Sequence, residues 1–390
     1  MKTFVPIFML WHLITTDAHT YGVTDKLQAS LLKGYNQDLR PRWNQQDTVD
    51  VYMSINYFSV LDLDVAKETL TTDIWAFYLW KDDILTWNTS VHGDIEGIRV
   101  PLTKVWATDV VVQNPIETSI VTSGSRVYAR HTGLVRIDVE YHTETSCFTS
   151  VTKFPFDEHT CEIRFSSDTY VAGELNISTV QVRYPFISKS SQWNVVGGGS
   201  EREKEDRKLQ SFVKLLVTVK RQPVYFVVNL LLPILVISTL SPCVFLVKSE
   251  TGEKLSISVT LFLSFTFFIS LLNGMLPQTS SSTSLISLYV CIQLHLSGLY
   301  IVLCIVIQRV SLMKEHNTIT SRIARFTCVP SKVAVTPLII KPDVDAPEVT
   351  PEMRIPGPTE VADKLDKLFF MFFFVVSGAL TAGYSVFVAL

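Results

Sequence analysis

The pattern of apolar positions along the chain changes character twice. From about residue 48 to 220 it alternates with period two. Val49-Asp50-Val51-Tyr52-Met53-Ser54-Ile55 and Leu134-Val135-Arg136-Ile137-Asp138-Val139-Glu140-Tyr141 place apolar and polar side chains on opposite faces of a strand. Turn residues interrupt at 92–94, 123–125 and 197–199. Many short strands at this spacing, preceded by a helix over about 24–35, predict a β-sandwich. The charged run Glu201–Lys208, four residues of each sign, reads as a solvated hairpin tip.

Beyond residue 222 the alternation gives way to long apolar runs. Val224–Val247, Leu285–Gln308 and Leu368–Leu390 each continue for 23 or 24 residues without Lys, Arg, Asp or Glu. About 20 such residues cross the hydrocarbon of a bilayer. A fourth span, over about 254–274, carries a stripe of Glu253, Ser256, Thr260, Leu263, Phe267, Ser270, Leu271 and Gly274. At about 100° per residue these fall within an arc of roughly 100°. A membrane helix with hydroxyls and a carboxylate on one face needs water or protein there. Several copies around an axis satisfy it, with water inside. Residues 311–364 break at seven prolines between Pro330 and Pro358 and are too polar to pack, so most of this stretch is expected to be disordered.

Composition and charge narrow the class. Hydrophobic content is 47% and charged content 18%, as expected of a membrane protein. A net charge of −3 without a basic run gives no footprint for nucleic acid. Lys2, the apolar core Phe4–Ile14 and the small-residue exit around Thr16–Ala18 read as a signal peptide. Residues 21–221 are then extracellular, and four crossings put both termini outside. Basic residues after the third run (Arg309, Lys314, Arg322, Arg325) support a cytoplasmic loop. Cys147 and Cys161 are the two cysteines of the outer part and are expected to form a disulfide; closing that loop contributes about 3 kcal/mol. Asn88-Thr89-Ser90 and Asn176-Ile177-Ser178 are glycosylation sequons on the same side. His92, His131, His142 and His159 have no ligand-like spacing and read as surface histidines; no metal or other cofactor is expected. His295, Asn229 and Ser238 within spans are expected to hydrogen-bond neighbouring helices, and Pro233 and Pro242 to kink the first span. No nucleophile or phosphate-binding constellation points to an enzyme.

Three motifs carry a resemblance. Cys147 and Cys161 enclose 13 residues that include Phe154-Pro155-Phe156-Asp157; Pro223–Asn229 precedes Pro233 in the first span; Gly252-Glu253-Lys254 stands directly before the striped helix. The chain resembles the Cys-loop pentameric ligand-gated ion channels, in particular the cation-conducting, nicotinic-like receptors of invertebrates. The resemblance implies an extracellular, immunoglobulin-like all-β sandwich over a four-helix transmembrane bundle, in a homo- or hetero-pentamer at the plasma membrane. The units are then 1–20 (signal peptide), 21–221 (ligand-binding sandwich), 222–310 (first three spans), 311–364 (cytoplasmic loop) and 365–390 (fourth span). Its partners are four further subunits, lipid, a small-molecule agonist of unknown identity and permeant cations.

Roles carry over residue by residue. Glu253 matches the carboxylate ring, Leu263 the hydrophobic gate, and Ser256 and Thr260 the polar lower pore. Pro155, Phe156, Asp157, Arg221 and the linker Pro277–Ser284 match the coupling region; Ser284 replaces a proline common there. A ring of carboxylates concentrates cations, whereas anion-conducting relatives carry Ala-Arg in place of Gly252-Glu253. Leu263 and Phe267 close a narrow pore by dewetting. The agonist site departs from the family's aromatic box. Trp75 matches the complementary-face aromatic, and Trp106 the structural tryptophan beside Asp109. Gln113 replaces a tyrosine, Asp168 (next to Tyr170) replaces the central tryptophan, and no vicinal cysteines follow. Tyr128, Arg136 and Asp138 match ligand-facing strand positions. The agonist is therefore expected to be neither acetylcholine nor serotonin. Asp168 and Arg136 give handles for a small zwitterion, unless these charges simply pair with each other or with water. The alternative is an accessory or regulatory subunit without its own agonist site.

Overall fold

The structure is a computed structural model, and it describes residues 20–122, 125–182, 186–204, 211–248, 252–278, 283–313 and 357–389. The proposed signal peptide and nearly all of 311–364 lie outside the described residues. The chain divides into two compact units, and the segment 150–157 groups with the second of them rather than with the strands that flank it.

Helix α1 (Tyr21–Leu32) precedes the first unit, three residues earlier than its pattern suggests. Strands β1 (Val49–Asp64), β2 (Thr69–Thr86), β3 (Gly97–Pro101), β5 (Pro115–Thr122), β6 (Arg126–Arg130), β7 (Thr132–Ser146), β9 (Leu175–Val182) and β10 (Ile187–Ser188) form one sheet. Strands β4 (Val110–Val112), β8 (Glu158–Ser167), β11 (Trp193–Lys204) and β12 (Ser211–Arg221) form the other. Period-two alternation does the sorting. Along β7 Val135, Ile137, Val139 and Tyr141 are buried while Arg136, Asp138 and Glu140 face outward. Between the sheets the Tyr78 and Tyr141 hydroxyls lie 2.7 Å apart, and the Tyr141 hydroxyl donates to the Val110 carbonyl, so neither buried hydroxyl is orphaned. Gly133, at φ +82°, is required where β7 begins: a Cβ there would stand 2.3 Å from the Asp82 carbonyl oxygen. Cys147 and Cys161 are joined. His159 is not at the surface. Its inward register on β8 buries it, with its ring 5.5 Å from that of Trp193. Of the charged run at 201–208, Glu201–Lys204 closes β11 and the rest lies outside the described residues.

The second unit contains four helices long and apolar enough to cross a membrane: α2 (Val224–Leu246), α3 (Glu253–Met275), α4 (Leu285–Ser311) and α5 (Pro358–Ala389). Helix α2 changes pitch at both prolines. A π-helical turn, Val227–Leu231, precedes Pro233, and a 3-10 stretch, Ser241–Leu246, carries Pro242. Helix α5 starts ten residues before the apolar run, because Val361, Ala362 and Asp366 are buried and extend its packed face. Three polar side chains bond their own helix rather than a neighbour: Asn229 Nδ2 to the Tyr225 carbonyl, Ser238 Oγ to Ile234 and His295 Nδ1 to Cys291. Each sits four residues beyond its acceptor, where helical geometry supplies one. The helices are instead tied by Ser377 Oγ, which donates to the Ser238 carbonyl at 2.7 Å, and by the Tyr289 and Thr381 hydroxyls, 2.9 Å apart.

Candidate functional site

Helix α3 separates its faces cleanly. Lys254, Ser258, Phe265 and Leu272 are buried. All eight stripe positions, Glu253, Ser256, Thr260, Leu263, Phe267, Ser270, Leu271 and Gly274, are exposed. Leu263 and Phe267 retain 59% and 61% of their surface. Thr260 Oγ1 donates to the Ser256 carbonyl at 2.9 Å. Its proton is thereby used within the helix, and the lone pairs are left facing outward. A single chain therefore presents an apolar and hydroxyl-bearing strip with one carboxylate at its start, exposed among the described residues.

The coupling candidates gather around one buried ion pair. Arg221 donates from Nε to Asp157 Oδ1 at 2.7 Å and from Nη2 to Oδ2 at 3.0 Å. The two side chains keep 5% and 1% of their surface. The guanidinium also lies 5.0 Å from the Phe154 ring and 5.1 Å from Phe226, and those rings meet edge to face. A planar cation that forks onto a carboxylate and stacks on aromatics is a task for arginine and not for lysine. Pro155, in a cis peptide bond with Phe154, is buried, while Phe156 is 37% exposed. The Thr152 carbonyl accepts from the Leu285 N–H at 3.2 Å, which joins this segment to the first residue of α4. Beside it Ser284 is buried with no partner for its hydroxyl among the described residues, and Pro277 is buried at the other end of the linker.

The agonist-site candidates fall into two groups. On the outer face of the larger sheet, the register aligns Tyr128 with Arg136 and Leu79, Asp138 with Phe77, and Glu140 with Trp75. Trp75 is 41% exposed. Arg136 is occupied: Nε and Nη2 donate to Asp138, and the guanidinium lies 4.2 Å from the Phe77 ring. The other group surrounds Asp109. Its carboxylate accepts from Ser167 Oγ (2.7 Å), Thr169 N (2.8 Å) and Thr169 Oγ1 (2.6 Å). That folds the turn on which Asp168 and Tyr170 stand. Trp106 is buried, donates from Nε1 to the Tyr170 hydroxyl at 3.1 Å and meets Trp80 edge to face. Asp168 and Gln113 point to solvent. The sequons also differ: Asn88 is exposed, whereas Asn176 sits on β9 and gives its Nδ2 to Asp50 at 2.6 Å. Among the described residues no group of three His, Cys, Asp or Glu side chains could hold a metal ion.

A family model described as a neurotransmitter-gated ion-channel ligand binding domain matches residues 24–223, and one described as a neurotransmitter-gated ion-channel transmembrane region matches 230–334. The chain belongs to the neurotransmitter-gated ion-channel family. It is 28% identical over 342 residues to the acetylcholine receptor subunit epsilon of Xenopus laevis, covering 82% of this chain and 68% of that one. It is 28% identical over 308 residues to the acetylcholine receptor subunit alpha-L1 of Schistocerca gregaria, 75% of this chain and 55% of that one. To the neuronal acetylcholine receptor subunit alpha-2 of Homo sapiens it is 30% identical over 301 residues, 75% and 56%. The chain thus spans between about half and two thirds of these relatives' length. Family members are pentamers, and the family is one of channels, not enzymes.

The strip on α3 is exposed, and the agonist-site candidates lie on the larger sheet and around Asp109. Sequence reasoning did not find Thr152 or the Asp366 partner of Lys254, and it gave Phe154 no coupling role. Phe154 was visible in the Cys147–Cys161 motif. Asp366 lies 112 residues from Lys254, and no local pattern connects them.

Proposed function

We propose that five copies of this chain, or this chain with related subunits, surround a cation-selective pore lined by α3 and opened by a small molecule bound between neighbouring sandwiches. The supporting observation is the exposure of all eight stripe positions on a helix whose opposite side is buried. Glu253 forms the selecting ring, Ser256 and Thr260 wet the wall, and Leu263 and Phe267 form a dewetting gate. Asp157, Arg221, Phe154 and Leu285, all within the second unit, are the candidates for coupling agonist binding to gating. The sandwich faces outward, with Asn88 the better placed glycan acceptor.

Cysteine substitution along α3 tests the lining. A water-soluble thiol reagent is expected to block current at 256, 260, 263, 267 and 274 and to leave 258, 265 and 272 unaffected. Block at the second set would overturn the lining.

The agonist is not a quaternary amine held in an aromatic box, since Gln113 and Asp168 stand at two of its walls. The Arg136–Asp138 pair also removes one of the two handles for a zwitterion. These occupied side chains favour a second reading, an accessory subunit without an agonist site of its own. Current from the chain expressed alone supports the first; in mixtures with related subunits, an agonist potency indifferent to Trp75→Ala in this chain supports the second.

A further inference from the structure

Glu253 and Lys254 are neighbours of opposite charge, so a helix that turned both toward the same water would offer ions little net field. At about 100° per residue, Lys254, Ser258, Phe265 and Leu272 centre roughly 165° around α3 from the stripe. Glu253 is exposed, while the Lys254 side chain keeps only 4% of its surface. Lys254 Nζ donates to Asp366 Oδ1 on α5, whose side chain keeps 7%. The ammonium also lies 5.6 Å from the Phe245 ring. Phe245 stacks on Phe373 in an apolar cluster with Tyr300, Cys304, Ile307 and Ala362, the last of these one turn before Asp366. The site is poor for a lone cation. It is buried against apolar groups, and it lies in the first turn of α3, where the helix dipole repels positive charge. Asp366 offsets both penalties. Burial of such a pair adds little stability beyond what apolar residues would give; its better-attested use is to fix orientation.

We propose that Asp366 is a positioning residue for ion selection: by holding Lys254 on the far side of α3, it leaves Glu253 as the unopposed charge at that level of the pore. This rests on the reading of α3 as the pore lining. An apolar residue at 254 would serve equally, which makes the claim sharp, because what matters is where the lysine charge points.

The test uses the full chain carrying Leu263→Ser, which hydrates the gate so that current does not depend on an unidentified agonist. Single-channel conductance is recorded in symmetric sodium chloride, with surface labelling as the expression control. In parallel the purified protein is treated with a water-soluble amine-acetylating ester, and modification of Lys254 is read by peptide mass spectrometry against exposed Lys367. Asp366→Asn is expected to lower conductance about twofold or more and to raise Lys254 acetylation toward that of Lys367. Asp366→Glu restores both. The double variant Lys254→Met with Asp366→Leu recovers the conductance that Asp366→Asn loses. Lys254 remaining unreactive in Asp366→Asn overturns the proposal, and this arm decides by itself where a variant carries no current. Unchanged conductance at normal surface level also overturns it. Glu253→Gln separates the two levels of inference: no effect there removes the pore reading itself, whereas a fall with Glu253→Gln but none with Asp366→Asn removes only the role of Asp366.

Discussion

Helix α3 and the agonist-site candidates use polar side chains in opposite ways. Along α3 the hydroxyls and the carboxylate of the stripe face away from the rest of the chain. In the sandwich several candidates are paired within the chain, Arg136 with Asp138 and Trp106 with Tyr170, beside Asp109, which holds the turn at 167–169; Gln113 and Asp168 stay exposed. A polar group already paired inside its own chain holds the fold, and one left facing out is available to something else. The contrast separates residues whose loss should cost folding from those whose loss should cost conduction or binding.

The sharpest way to break this contrast is at the buried Arg221–Asp157 pair. Arg221→Ala strands the Asp157 carboxylate in a buried site, and removing one member of such a pair costs about 3–5 kcal/mol. The expected result is near-complete loss of surface receptor, measured by labelling intact cells. Normal surface levels with altered gating would move Arg221 to the functional side. Asp109→Ala removes an acceptor of three hydrogen bonds, two of them from exposed Thr169 groups that water can satisfy instead, and is expected to cost about 1.5–3 kcal/mol, the net range for one bond to a charged group. A stable variant that had lost agonist response would instead make Asp109 a ligand contact. On α3 the opposite is expected. Ser256→Ala and Thr260→Ala should change thermal stability of the solubilised protein by no more than about 0.5 kcal/mol while altering conductance.

The smallest effect is a pH slope in the sandwich. Asp82 is buried and its carboxyl is raised above the ordinary range, chiefly by that burial, although Tyr35 donates to it at 2.7 Å. A raised acid favours the fold while protonated. Its contribution is full below the unfolded value of about 3.9 and is lost as pH rises through the folded value. Asp82→Asn, neutral throughout, should flatten the dependence of melting temperature on pH just above 4.

Legibility from sequence follows the same division. The strip on α3 was readable because it is a property of one helix: periodicity places residues on faces, and apolar content says what the other faces meet. The alternating strands, the four spans and the Cys147–Cys161 bond were readable for similar local reasons. The burial of His159 was not, because it depends on Trp193 arriving from another strand. Asn229 and His295 were expected to reach across helices, but each bonds the carbonyl four residues back that its own helix supplies. The pairing of Lys254 with Asp366, 112 residues apart, is decided by tertiary position; Arg136 and Asp138 share one face of β7, and it is the Phe77 ring beneath Arg136 that arrives from another strand.

The reversal potential of current through the channel carrying Leu263→Ser, measured as external sodium chloride is diluted at constant osmolarity, tests cation selection at Glu253 most directly. A pore selected by that ring gives a reversal potential that follows the sodium equilibrium potential. It loses part of that dependence with Glu253→Gln. A reversal potential that follows chloride, or one indifferent to residue 253, would contradict it.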